Sequence, residues 1–463
     1  MELNNTPDTV IDKIAASQKA FFASHATLDV KWRKAQLKTL LAAIDKWEQP
    51  LADALKTDLH KSYKEAYLTE ISLVKAEIKD AIKHIRRWAS RKKCLTSIAC
   101  MPARSYIVKE PQGNALIVSP WNYPVQLLLN PLVGAMAAGC TAVLKPSPYV
   151  PHVSKVIEDM IAESFDPAYI AVVQGNRYVN KKLLSCRWDM IFFTGSPALA
   201  HDVMEAAAKH LTPVVLELGG KSPCIVAADA DIELAARRIA WGKTLNCGQT
   251  CIAPDYLLID SSVKDAFVEA FERQIHKLHG EDVQKDEHYV RMVSDKAFQR
   301  VSSYLSEGKI LCGGHTDPSE RYIEPTLLGD LAQGSKVLEE EIFGPILPVI
   351  EIKGDNFEAQ VEEYINAREK PLAFYYFGNE KRGWRIIGHT SSGGGCINDT
   401  IMHIVNSHIP FGGVGNSGMG NYHGKRSFDA FSHERSIVVS SRWIDLPFKY
   451  MPYKLFGLTK HLL

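Results

Sequence analysis

The sequence predicts an α/β protein, with a doubly wound parallel sheet followed by a second α/β domain. Three observations carry that expectation. Short apolar strands alternate with helical segments between Asn114 and Leu218, the spacing of a parallel sheet with crossovers packed on its faces. No charged residue occurs from Asn114 to Leu144, as expected of elements buried on every side. A chain of 463 residues also exceeds what one ordinary core accommodates, so two or three domains are expected.

The elements follow in order. Residues 7–90 carry helical periodicity with many Lys and Glu and few β-branched runs. A strand is expected at 114–118, a helix at 123–138 and a second strand at 141–144. A helix at 151–163, a strand at 169–173, a strand at 190–193, a helix at 197–211 and a strand at 214–218 complete the first alternation. The second has a helix at 231–244 and strands near 255–259 and 346–350. The glycine-rich stretch 391–424 reads as loop, held to a core through Ile397, Ile401, Ile404 and Phe411. There is no internal repeat and no low-complexity tract.

Composition narrows the function. With 54 basic against 53 acidic residues, the chain has no electrostatic footprint for nucleic acid. Arg86-Arg87 and Arg91-Lys92-Lys93 read as solvated helix faces. The charge-free stretch is long enough to raise a membrane span. Pro120, Pro124 and Pro131, with Asn122, Gln126 and Asn130, favour buried α/β elements instead. Residues 1–12 lack the apolar segment of a signal peptide, and nine scattered cysteines fit reduced thiols better than a disulfide framework. The expectation is a cytoplasmic protein without a membrane span.

Two segments suggest chemistry. Asp189-Met-Ile-Phe-Phe-Thr-Gly-Ser-Pro197 is a strand running into a tight turn, with Ser196 as N-cap and Pro197 at the first helical position. Free N–H groups at such a terminus suit a phosphate, although a plain strand-helix turn would read the same. Asn246-Cys247-Gly-Gln-Thr-Cys251 follows a helix. A nucleophilic thiol and two buried structural cysteines both remain open there, and no second Cys or His pair supports zinc. Two look-alikes are set aside. Gly413-Val-Gly415-Asn-Ser-Gly418 matches the dinucleotide fingerprint but opens no helix, and Gly220-Lys221-Ser222 lacks the first glycine of a phosphate-binding loop.

Five segments together resemble the signatures of the aldehyde dehydrogenase superfamily, in the family's order. They are Pro120-Trp-Asn122-Tyr-Pro124, Glu217-Leu-Gly-Gly-Lys-Ser-Pro223, Gly248-Gln-Thr-Cys251, Glu340-Glu-Ile-Phe-Gly-Pro345 and Pro410-Phe-Gly-Gly-Val-Gly-Asn-Ser-Gly-Met-Gly420. The last, with Tyr422-His-Gly-Lys-Arg-Ser-Phe-Asp-Ala-Phe-Ser-His433, is similar to the class 3, fatty-aldehyde branch. The resemblance runs from about Asp58 to the C-terminus.

It implies a dinucleotide-binding domain over 1–92 and 112–219 and a catalytic domain over 220–416. A small β oligomerisation element with a C-terminal tail would occupy 93–111 and 432–463. It further implies oxidation of an aliphatic or aromatic aldehyde to the carboxylate with NAD or NADP, in a homodimer and without a metal. Cys251 matches the nucleophile that forms a thiohemiacetal and then a thioester. Asn122, with the N–H of Cys251, matches the oxyanion hole, and Glu217 the base that activates water. Glu341 and Phe343 match the nicotinamide ribose and ring positions, Lys145 the adenosine ribose, and Gly195 and Ser196 the pyrophosphate. Ser147 and Trp121 count with these cofactor residues, and Cys247 matches no catalytic position.

There are two departures: Ala200 stands where the family usually has glycine, and Pro148 where it usually has glutamate. The second leaves NADP as acceptable as NAD. A cysteine hydrolase would want a histidine base, and none is near Cys251 in sequence. A coenzyme A-acylating relative would usually lack the carboxylate at Glu217.

Overall fold

In the computed structural model, which describes residues 3–457 and 460, the first alternation builds a six-stranded sheet. Its order is Gly418–Met419, Val214–Glu217, Met190–Thr194, Asn114–Val118, Thr141–Lys145 and Ile170–Val172. All neighbours are parallel except Gly418–Met419, which runs antiparallel to Val214–Glu217. From Asn114–Val118 the chain first adds strands on one side, then crosses to Met190–Thr194 on the other. The order therefore reverses between these two strands, and the crevice beyond their carboxyl ends is where such sheets bind ligands. Ser119 to Asn122 leaves one strand there and Gly195-Ser196 the other.

The sheet needs both faces covered, and the charge-free stretch explains how. Every residue of the helix Gln126–Ala138 is buried, so it packs against sheet and helices at once. The outer layer comes from the first helical region, with helices Asp8–Ala23, Val30–Leu59 and Ser72–Trp88. Asp29 caps the second of these by accepting from Lys31 N at 2.9 Å. Among the described residues no helix is long and apolar enough to cross a membrane.

The second alternation forms a seven-stranded sheet. Its order is Lys309–Cys312, Thr326–Gly329, Ile346–Ile352, Tyr256–Asp260, Pro223–Val226, Ala373–Phe377 and Gly394–Ile397. The strands expected near 255 and 346 are two of its centre. Lys92–Cys94, Ala103–Pro111 and Ser432–Ser440 make a separate antiparallel sheet. Met1 and Glu2, and Leu458, Thr459 and residues 461–463 of the expected C-terminal tail, lie outside the described residues.

Several expectations are corrected. The helix expected from 123 starts at Gln126, because Tyr123 and Pro124 stay in the turn that leaves the sheet. The helix expected to 211 stops at Ala208, and Leu211 turns left-handed at φ 53°. The stretch 391–424 is not all loop: Gly394–Ile397 and Gly418–Met419 are edge strands. Their glycines hid them by lowering strand propensity, yet close packing requires them. A Cβ on Gly395 would lie 2.1 Å from Phe374 O, and one on Gly418 2.4 Å from Leu216 O. Ile401 and Phe411 are buried as expected, and Ile404 and Ile397 pack against core clusters.

Gly113 opens the first strand of the switch point at φ +137°, and a Cβ there would meet Asp189 Cγ at 2.7 Å. Asp189 Oδ2 in turn accepts from Asn114 N at 2.9 Å. Gly113→Ala is expected to destabilise the fold by about 1–3 kcal/mol. A urea titration checks this, and an unchanged midpoint would refute the tight-turn account.

Candidate active site

The turn leaving the strand Asn114–Val118 buries Asn122. Its side-chain Nδ2 donates to Gln249 O at 3.0 Å, which leaves its second N–H without a partner among the described residues. Its backbone carbonyl accepts from Asn246 Nδ2 at 2.9 Å and Lys61 Nζ at 3.3 Å. The neighbouring Trp121 ring meets Phe343 edge-on at 5.4 Å between centroids.

Facing this turn is the segment that carries Cys251. The helix Ile232–Thr244, capped by the Asp231 side chain on Leu234 N, gives way to three consecutive left-handed residues. Asn246, Cys247 and Gly248 have φ of 53°, 55° and 69°. Such backbone persists in non-glycine residues only where surroundings hold it. Glu65 Oε1 accepts from Asn246 N at 2.9 Å. Gln249 Nε2 donates to Asn246 O and Arg291 O, and its Oε1 accepts from Val293 N. Gly248 is required besides, since a Cβ would stand 2.2 Å from Gly344 O. Cys247 faces away into the core, its sulfur 3.6 Å from Tyr289 Oη and 3.9 Å from Met292 Sδ. Burial pushes its thiol up to about 12.

Three acidic groups converge. Glu217 ends its strand 2% exposed, with neither carboxyl oxygen hydrogen-bonded among the described residues, and burial raises its pKa well above the carboxylate range. Cys251 is raised by burial and further by the charges of Glu341 and Glu217, against the pull of its own N–H and that of Ile252. Glu341 rises to about 8, chiefly through burial, with Asp255 adding to it and the Gly220 N–H opposing. Gly219 makes room: a Cβ there would fall 2.3 Å from Glu341 Oε2. Arg300 holds the carbonyls of Glu341 at 3.1 Å and Ile342 at 2.7 Å. Lys221 binds Asp255 and the carbonyls of Val337 and Glu340, so it is a tie between loops. The glycines of 413–418 likewise shape the edge strand beside Glu217, and Ser417 O accepts from Leu218 N.

Residues 3–437 match the aldehyde dehydrogenase family. The chain belongs to that family. It is 44% identical to 4,4'-diaponeurosporen-aldehyde dehydrogenase of Staphylococcus aureus, over 96% of this chain and 97% of the relative. It is 43% identical to aldehyde dehydrogenase family 3 member B1 of Homo sapiens, over 94% and 92%. It is 41% identical to the dimeric NADP-preferring aldehyde dehydrogenase of Canis lupus familiaris, over 97% and 99%. The solved substrate-bound state of Staphylococcus aureus AldH superposes with a TM-score of 0.95 at 44% identity, over 97% and 99%. The family 3 relative among these supports the branch that the sequence resembles. The chain is an oxidoreductase acting on aldehydes, with NAD or NADP.

An aldehyde dehydrogenase must hold a dinucleotide, and the carboxyl edge of the first sheet fits one. Lys145 is 1% exposed, and among the described residues its ammonium bonds only Pro146 O, at 2.7 Å. Burial lowers its pKa to about 8, and with one hydrogen bond made its ammonium has donors left for hydroxyls or phosphate. Gly195 N bonds Glu217 O at 3.0 Å, while Ser196 begins the helix Pro197–Ala208 exposed and without a side-chain cap. Glu341 Oε1 lacks a partner among the described residues. Ser147 is buried, its Oγ accepting from Tyr149 N, and Pro148 after it is exposed. Ala200 is buried in the helix, against the sheet.

Sequence reasoning gave no role to Tyr422, whose buried Oη lacks a partner among the described residues and which feels the charges of Glu217 and Cys251. The only signal for it was membership of a resembling segment. Lys61, Glu65 and Glu70, which hold the turn and the left-handed loop from below, left no signal beyond helical periodicity.

Because the thiolate is the reactive form and Cys251 is raised, its thiolate stays a minority through the usual thiol range. Alkylation of Cys251 by iodoacetamide without cofactor, read by peptide mass spectrometry, should rise about tenfold per pH unit from about pH 7 to 9. A plateau below about pH 8.5 would show a thiolate stabilised by the resting site.

Proposed function

We propose that this chain oxidises an aldehyde to its carboxylate through a covalent intermediate on Cys251, with water activated by Glu217. The reading rests on one observation: Cys251, Asn122 and Glu217 come together from three distant segments, and among the described residues one N–H of Asn122 and the carboxyl of Glu217 have no partner. The Cys251 thiol gives up its proton to solvent, and the thiolate adds to the aldehyde carbon to give a thiohemiacetal. The second N–H of Asn122 and the backbone N–H of Cys251 donate to the oxygen as charge develops. When bound, the nicotinamide supplies the hydride acceptor, and the carbon is left as a thioester of Cys251. Glu217, in its carboxylate form, takes a proton from water, whose oxygen attacks the thioester; the C–S bond breaks, the acid departs, and the proton held on Glu217 returns the sulfur to its thiol.

The cofactor residues follow from the same reading. Lys145 and Ser147 would hold the adenosine ribose, Gly195 and Ser196 the pyrophosphate, and Glu341, with the Phe343 and Trp121 rings, the nicotinamide end. We divide the chain into a dinucleotide-binding part over 1–92 and 112–219, a catalytic part over 220–416, and an oligomerisation element over 93–111 and 432–463. The strand Ser432–Ser440 exposes Val438 and Val439, with Trp443 beyond it 94% exposed. That surface suits a second copy, and a relative is named as dimeric. Nine free cysteines suit a reducing, cytoplasmic setting.

Glu217→Gln should release one equivalent of reduced cofactor per site in a burst and then turn over about 10²–10⁴-fold more slowly. Cys251→Ala should show neither phase, whereas Cys247→Ala keeps both. Stopped-flow absorbance at 340 nm reads all three, and loss of the burst in Glu217→Gln would move that residue to an earlier step.

Pro148 offers no carboxylate to repel a 2′-phosphate, and Lys145 stands nearby in the chain to pair with one. NADP and NAD should therefore both serve, with kcat/KM ratios within about 100-fold, roughly 2.8 kcal/mol. Pro148→Glu should shift preference toward NAD by weakening NADP; an unmoved ratio would mean that position 148 does not face the ribose.

A further inference from the structure

We infer that the buried Lys61–Glu70 ion pair is a positioning device that aims the Asn122 amide at the reacting oxygen. The inference rests on the oxyanion role proposed above for Asn122. Lys61 Nζ and Glu70 Oε1 are 2.7 Å apart, and both side chains are 0% exposed. A pair this deep is an unpromising source of stability, because desolvating two charges offsets most of their attraction and apolar residues of like size would often serve as well. What the charges add is direction.

Among the described residues, the pair's other side-chain hydrogen bonds all go to one turn. Glu70 Oε2 accepts from Val125 N at 2.8 Å and Gln126 N at 3.3 Å, the open amides at the start of the helix Gln126–Ala138, where Val125 provides no side-chain cap. A carboxylate suits that helix end. Lys61 Nζ donates to Asn122 O at 3.3 Å and lies 4.4 Å from the centroid of the Tyr123 ring. The pair thus grips the turn at the carbonyl of Asn122 and at the amides three and four residues on. Within the gripped turn the Tyr123 hydroxyl is bonded to Thr250 Oγ1 at 2.7 Å, whereas the Asn122 amide has only one of its two N–H groups fixed, by Gln249 O, among the described residues.

The backbone beneath Glu70 is also unusual. Residues Tyr67–Ile71 form a π turn, with Ser72 N bonded to Tyr67 O. Such widened turns are rare and concentrate at functional sites; here the turn sets the direction in which Glu70 leaves its helix. Glu65, one turn earlier, holds Asn246 N, so adjoining turns of one short segment support both faces of the site. Misplacing a reacting group by about 1 Å can slow a reaction roughly 10²-fold, which gives the pair leverage without contact with substrate.

A double-mutant cycle on the rate constant of the reduced-cofactor burst tests this. Asn122→Ala should slow the burst about 10²–10³-fold and Glu70→Gln about 10–100-fold, the latter with cofactor Kd and the Cys251 alkylation rate unchanged. Added to Asn122→Ala, Glu70→Gln should slow it less than about twofold more, because the group it aims is already gone. If Glu70→Gln does not fold, Lys61→Met with Glu70→Gln leaves no stranded charge and carries the same expectation. Full multiplication of the two losses would overturn the positioning inference and leave the oxyanion reading standing. An undiminished burst in Asn122→Ala would overturn the oxyanion reading itself.

Discussion

Three left-handed residues in a row can stand only if the polar groups they turn inward are answered, and at Asn246, Cys247 and Gly248 the answers come from distant segments. Glu65 takes the Asn246 amide, the Asn122 carbonyl takes its side chain, and the carbonyl of Arg291 and amide of Val293 hold Gln249. The two that are not glycine, Asn246 and Cys247, each cost on the order of 1–3 kcal/mol in isolation. The loop therefore exists only after the N-terminal helices, the first sheet and the elements around the second sheet have met. Its geometry is a property of the whole fold, and so is the place of Cys251, three residues on from Gly248.

How much of this could be read from the chain depends on where the information lies. The switch-point strands were legible because burial on both faces writes itself as uninterrupted apolar runs, and Asn114–Val118 and Met190–Thr194 are such runs. Gly394–Ile397 was not, because an edge strand of two glycines, Cys and Ile takes its shape from the neighbouring backbone. Pro223–Val226 in the middle of the second sheet was hidden by its brevity and its leading proline. At the site, the five signature segments could be named, yet the pairing of Asn122 Nδ2 with Gln249 O joins positions 127 residues apart. The buried Lys61–Glu70 pair looked like two ordinary charges on a helical stretch. Position in sequence does not report depth.

Burial drives the titrating groups here toward their neutral forms. Glu217 and Glu341 are raised and Lys145 is lowered, each by removal from water. Among the described residues their spare donors and acceptors have no partners, the opposite of what a stable core prefers. Hydroxyls of a bound ligand and a bound water would meet those groups, so affinity and unfilled polar capacity are the same fact.

The strand Gly418–Met419 closes the first sheet from a position far along the chain, directly against Leu216 and Glu217. On the ribosome the partner strand emerges about 200 residues earlier, roughly 10–40 s at about 5–20 residues per second. Through that interval Val214–Glu217 is an open sheet edge, able to pair with any extended segment nearby. The nascent protein thus passes through a period in which its first sheet is almost assembled but still adhesive. Chaperone demand during synthesis, rather than the stability of the finished enzyme, is where this late-arriving strand would be felt.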